Sequence, residues 1–254
     1  MAKSRSLAET QPILLRLVFG ACAIIGLSYF FLLVLDPGTA KKIAVEDGPI
    51  ENLGAVFSLI AACIFLLCYF SKEERNRFFG YSATRNVWFL GLFALMFVSF
   101  GEEISWGQRI FGWSTPDRFQ DINAQGETNF HNLWLFQAKH PDGTRKSQLA
   151  LFLNTNRIYA IFWLTYCCVL PFLFQKSTFV QRWSYYSGVP VPPISAGGIF
   201  VANFLLFSLI VSVGQLDRAM LSALDELKET NYQLAYVALA TCFYARLGPQ
   251  HVIK

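Results

Sequence analysis

Residues 87–108 read VWFLGLFALMFVSFGEEISWGQ. From Val87 to Phe100 the run holds one hydroxyl and no charge, the signature of a helix in hydrocarbon, where a span takes about 20 mainly apolar residues. Glu102 and Glu103 then stand where that helix leaves the lipid. Either they are solvated interfacial residues, or they belong to a polar site that gathers further groups from elsewhere in the chain.

The rest of the sequence agrees with a membrane setting. Of 254 residues, 54% are hydrophobic and only 15% charged, with 25 phenylalanines, and the mean hydropathy is +0.39, beyond what a soluble domain tolerates. The net charge of +4 comes from basic residues scattered over short loops rather than gathered on one face, which is a topology signal and argues against a nucleic-acid partner. The six cysteines lie in apolar stretches with no C-x-x-C pair, so they read as small hydrophobes.

Five segments satisfy the length and polarity of a span: Pro12 to Leu35, Glu51 to Phe70, Val87 to Gly107, Leu149 to Phe174, and Ile194 to Val213. A sixth, Tyr232 to Leu247, is short, and an amphipathic stretch with Leu216, Met220, Leu221, Leu224 and Leu227 at helical spacing feeds into it. The expected fold is therefore all-α, a single polytopic transmembrane domain over 1–254 with about six helices. The first segment is too long for a signal-peptide core and reads as an uncleaved helix. Lys3, Arg5 and Arg16, with Lys72, Arg75, Arg77 and Arg85, form the densest short basic clusters, which puts the N-terminus in the cytoplasm and predicts a bacterial inner membrane. The 36–50, 108–148 and 215–230 segments then face the other side.

Within the external segment 108–148, Ser114 or Thr115 can cap a helix with Pro116 in its first turn. Phe119, Ile122, Phe130, Leu133 and Phe136 would give a helix from Pro116 to about Phe136 a broken apolar stripe suited to the membrane surface.

On this topology the polar residues gather at one membrane face. Glu46, Asp47 and Glu51 lead into the second span, Glu102 and Glu103 close the third, Asn154, Asn156 and Arg157 open the fourth, and Asp225, Glu226 and Glu229 precede the last. Glu127 and His131, four apart, would share one face of the surface helix and can hold a proton or a metal together. Glu102, Ser105 and Arg109 would share a stripe of the third span. Carboxylates with an imidazole suit Zn, Mn or Fe, and carboxylates with amides suit Mg or Ca. Glu103, Glu127 and His131 are the candidate ligands of a divalent metal. Arg109, Arg157 and Asn156 are candidate contacts for an anionic head group, although an arginine beside carboxylates more often pairs with them. Trp106, Trp113, Trp134 and Trp163 fit an aromatic belt.

The glutamate pair followed by Arg109, with Phe136 to His140 as an F-x-x-x-H, resembles the paired-glutamate motif of the CAAX-type intramembrane metalloproteases, in which Glu and His residues activate a water. The likeness covers a few residues, Arg109 lies farther from the pair than that motif has it, and no catalytic residue is carried over.

Two functions are expected. One is an integral membrane enzyme, a hydrolase or transferase on a lipid or lipid-linked substrate, with Glu102, Glu103, Glu127 and His131 as catalytic groups. The other is a non-catalytic subunit or scaffold that uses the same cluster as an interhelical network and docks a membrane-protein partner. A transporter is disfavoured, because no paired halves are visible and the carboxylates are not at mid-span.

Overall fold

The computed structural model describes residues 7–44, 48–71, 77–147 and 150–247; the side chains of 7–11 and of Arg109 lie outside the described residues, as do Lys3, Arg5, Glu46, Asp47, Lys72 and Arg75. The chain is an all-α membrane protein whose only paired strands among the described residues, β1 (Arg77–Phe78) and β2 (Tyr81–Ser82), form one short hairpin. Four helical stretches are long and apolar enough to cross a bilayer: Pro12–Val34, Pro49–Phe70, Thr155–Lys176 and Ile194–Val213. Their outward faces carry Phe19, Phe30, Phe31, Leu205 and Leu209, all exposed, as lipid-facing side chains are.

The first of these stretches lies in α1 (Leu7–Val34), after which Asp36 caps the short α2 (Pro37–Ile43) by accepting from Thr39 N at 3.0 Å. Helix α3 (Pro49–Phe70) follows, then α4 (Val87–Glu103), capped by Asn86. These two are antiparallel, joined midway by a 3.2 Å hydrogen bond between the Ser58 and Ser99 hydroxyls.

The fourth segment starts later than the sequence suggested. Asn154 accepts the Arg157 N–H and caps α7 (Thr155–Trp163), so the helix begins at Thr155. A π-helical stretch, Leu164–Val169, joins α7 to α8 (Leu170–Lys176). Pro171 has no N–H to offer Cys167, four residues earlier, and Gly197 comes so close to that carbonyl that an added Cβ would lie 2.2 Å from it. The bulge and the glycine together let α10 (Ile194–Val213) pack tightly here.

Helix α9 (Thr178–Ser187) turns back toward the β-hairpin, where Gly80 N donates to Tyr186 O at 2.8 Å. The last helix, α11 (Arg218–Leu247), is continuous over 30 residues, about 45 Å at 1.5 Å per residue. The amphipathic stretch and the short sixth segment are thus one element. It runs through the middle of the bundle, with Leu224, Ala235, Tyr236, Leu239 and Ala240 fully buried. Phe243 meets Phe65 of α3 and Phe89 of α4 at ring distances of 6.4 and 5.4 Å. Polar ties fix its rotation: Asn203 Nδ2 donates to Lys228 O at 3.0 Å, and Asn231 Nδ2 donates to Ser28 Oγ at 3.1 Å.

The predicted surface helix from Pro116 to Phe136 does not form. Beyond α5 (Gln108–Phe111), helix α6 ends at Ile122, having begun at Asp117. Asn123 is the reason: its Oδ1 takes the N–H groups of Gln125 and Glu127 at 2.9 and 3.3 Å, a side-chain turn that competes with the helix, and Gly126 then adopts a positive φ of 70°. The chain folds back instead, with Trp134 N donating to Ile122 O and Ala124 N to Asn132 O. Ile110, Phe111, Ile122, Phe130 and Leu135 stay exposed, so the apolar surface survives without the helix.

Candidate functional site

The end of α4 sets the site. Ser105 and Trp106 take positive φ values of 45° and 54°, a left-handed turn that non-glycine residues adopt at a cost, so the helix stops at Glu103. The Glu102–Ser105–Arg109 stripe expected on a longer helix therefore does not exist, and the Arg109 side chain lies outside the described residues. The turn aims Trp106 Nε1 back at Glu102 Oε1, 2.7 Å away. Glu102 Oε2 accepts the backbone N–H groups of Phe130 and His131 at 2.6 and 2.8 Å and faces His131 Nδ1 at 3.2 Å. Glu102 is buried, and its charge is met by donors from two segments, Trp106 just beyond its own helix and the Phe130–His131 backbone of the external loop. This clamp brings the external loop to the helix end.

Glu103 points the other way, into the bundle. Its Oε1 accepts from Gln233 Nε2 of α11 at 2.7 Å. Around it, within electrostatic reach, stand Glu229 and Glu226 of α11, Glu51 at the start of α3, and His131. Gln233 fits because Gly54 leaves room: a Cβ there would lie 2.0 Å from Gln233 Oε1. Thr230 Oγ donates to Ile50 O at 3.0 Å and locks the same crossing. Tyr159 of α7 and Tyr232 of α11, rings 5.6 Å apart, complete the wall on the Glu229 side.

His131 joins the two halves. Burial pulls its imidazole toward the neutral form, but the Glu102 hydrogen bond and the fields of Glu103, Glu102 and Glu229 outweigh burial and raise its pKa above the ordinary value. With Nδ1 turned to Glu102, Nε2 is the ring atom left for other partners.

The other candidates sit differently. Glu127 Oε2 accepts from Ser105 Oγ at 2.6 Å and Asn129 Nδ2 at 3.1 Å, and the helix that would have set it beside His131 is missing. The expected metal set of Glu103, Glu127 and His131 does not assemble: among the described residues no group of three or more His, Cys, Asp or Glu side chains is arranged to hold an ion. Asn156 and Arg157 lie at the same end of the bundle, where Thr155 Oγ donates to His131 O at 3.3 Å, but both side chains are exposed. His140 occupies an exposed turn closed by a Lys139–Arg145 bridge, so the F-x-x-x-H likeness has no helical counterpart. Sequence reading gathered Glu51, Glu226 and Glu229 at this face without making them site residues, and it passed over Gln233, Tyr159 and Tyr232. The signal available was the i, i+3, i+7 spacing of Glu226, Glu229 and Gln233, which one unbroken helix puts on one side.

These features define a class, a helical membrane protein with a carboxylate–imidazole cluster at one end of its bundle. No known protein family, curated protein or solved structure matches the chain.

Proposed function

We propose that this protein is an integral membrane enzyme, a hydrolase or transferase acting on a lipid or lipid-linked substrate, with His131 and Glu103 as its acid–base pair. The observation that carries the reading is the convergence of Glu51 of α3, Glu226 and Glu229 of α11, and His131 of the external segment on Glu103 of α4. Ionisable groups gathered at membrane depth are costly and are kept for function. Glu102 fixes the His131 ring, leaving Nε2 to take a proton from a nucleophilic water or hydroxyl. Glu103, which stands in the field of Glu229 and His131, is the group to return a proton to a leaving group. Glu102 and Glu127 are positioning residues in this scheme. Arg157, exposed at the same end of the bundle, is available to an anionic head group.

In this proposal α1, α3, α4, α7 with α8, α10 and α11 make six crossings, an arrangement in which the cluster and the 108–147 segment lie on the side opposite the N-terminus. The basic residues put the N-terminus in the cytoplasm of a bacterial inner membrane, and the site then faces outward.

The test is lipid turnover by purified protein in vesicles of extracted bacterial lipid, followed by mass spectrometry. Glu103→Gln and His131→Gln should each lower turnover at least a hundredfold, the scale of general acid–base catalysis, with the thermal midpoint unchanged within a few degrees. The scaffold reading is favoured by one observation, the saturated hydrogen bonding of Glu102. It predicts that the same variants chiefly lose stability and no lipid is converted.

A further inference from the structure

At the opposite end of the bundle lies a second site that the acid–base cluster does not touch. A cavity of about 880 Å³ opens between α9, the turn after it, the start of α4 and the end of α11. Arg77, Arg182 and Arg246 line it, and no acidic residue does among the described residues. Its inner wall is apolar, with Phe89 and Phe243. Arg246 is partly buried, and its one hydrogen bond among the described residues goes from Nη1 to Val191 O at 3.2 Å, leaving most of its five donors for something else. Arg77 lies over the Tyr185 ring at 5.2 Å, which orients it without neutralising it.

An independent observation points the same way. Ser184, 4% exposed and part of the cavity wall, has a buried hydroxyl with no hydrogen-bond partner among the described residues. A buried hydroxyl normally finds a partner, because leaving it without one keeps the cost of its lost hydration uncompensated. Three guanidinium groups with no counter-charge among the described lining residues, together with a waiting donor, describe a receptor for a phosphate-type anion, which arginine binds through paired hydrogen bonds. The volume decides the rest. A cavity of this size is that of a site for a drug-sized molecule, far larger than a bare oxyanion needs, and its phenylalanine wall suits hydrocarbon.

We infer that this cavity binds one anionic phospholipid, its phosphate held by Arg77, Arg182 and Arg246 with Ser184 donating, and its glycerol and upper acyl carbons against Phe89 and Phe243. The site is separate from the acid–base cluster and stands whether or not that cluster is catalytic. On the proposed topology it lies on the cytoplasmic side.

The test uses the full chain in neutral detergent, stripped of lipid, with binding of phosphatidylglycerol, phosphatidylcholine and inorganic phosphate read by native mass spectrometry and thermal midpoint. One phosphatidylglycerol should be retained at least tenfold more tightly than phosphatidylcholine. Arg182→Gln, an exposed change that leaves folding intact, should remove that preference. Ser184→Ala should weaken binding severalfold while leaving the lipid-free midpoint unchanged or raised, because it deletes an unmet hydroxyl. Equal retention of the two lipids, or an unaltered preference in Arg182→Gln, would overturn the proposal. Saturable inorganic phosphate binding that Arg182→Gln abolishes, without any phosphatidylglycerol preference, would overturn the lipid and leave a free anion as the ligand.

Discussion

Two neighbouring carboxylates, one peptide bond apart, do opposite jobs. Glu102 is satisfied by Trp106, Phe130 and His131, while Glu103 faces other carboxylates across the α4–α11 contact. The raised His131 pKa has a measurable consequence. A group whose pKa is higher in the folded than in the unfolded chain adds stability that is complete below its unfolded value, about 6.5, and is lost as pH rises through the folded one. The thermal midpoint should therefore fall as pH is raised above about 6.5. Because Glu103 and Glu229 also face His131, the parent must be compared with His131→Gln and Glu102→Gln, and both variants should show a flatter profile. Equal slopes in all three proteins would remove His131 as the source. The sequence made the glutamate pair conspicuous, since no apolar span needs it. It did not disclose which glutamate faces inward, because that depends on where α4 stops, and the left-handed Ser105 and Trp106 are a conformation that neither residue type advertises.

At the scale of elements, the close crossing of α3 and α11 holds the cluster together. Gly54→Ala should push Gln233 off Glu103 and cost about 1–3 kcal/mol, the scale of an overpacked contact, with a matching drop in thermal midpoint. Gly198→Ala is the control: nothing lies within 4 Å of the added carbon, and alanine favours the helix, so stability should hold or rise slightly. If the two substitutions behave alike, the crossing is not tight. Hydrophobic runs announced the long helices, but local polar chemistry overrode periodicity in the external segment. The apolar positions of Phe119 to Phe136 recur as a surface helix requires, yet the Asn123 side chain and Gly126 reverse the chain. In α11, by contrast, the amphipathic stretch runs on directly into the last segment as its helical spacing predicts, despite the charges among its apolar residues. They mark the face that lines the site.

For the whole molecule, the proposed topology sets the Lys139 turn and α9 on opposite sides of the membrane. With cysteine introduced at Lys139 or Arg182, both exposed, an impermeant maleimide should label the first in cells with a permeable outer envelope and the second only after lysis. Labelling of both from one side would refute the six-crossing arrangement. The central place of α11 also bears on how the protein is made. This helix is synthesised after the others, and its first half carries Asp225, Glu226, Lys228 and Glu229, residue types that each cost about 3 kcal/mol near the middle of a span on insertion scales. Its packing partners α1, α3 and α10 all precede it in the chain, so the groove it fills stands open until it is made. Until then the earlier helices stand around an unfilled polar seam, a natural target for membrane chaperones and proteases. Translation that stops before Arg218 should thus yield a rapidly degraded fragment rather than an inactive but durable bundle.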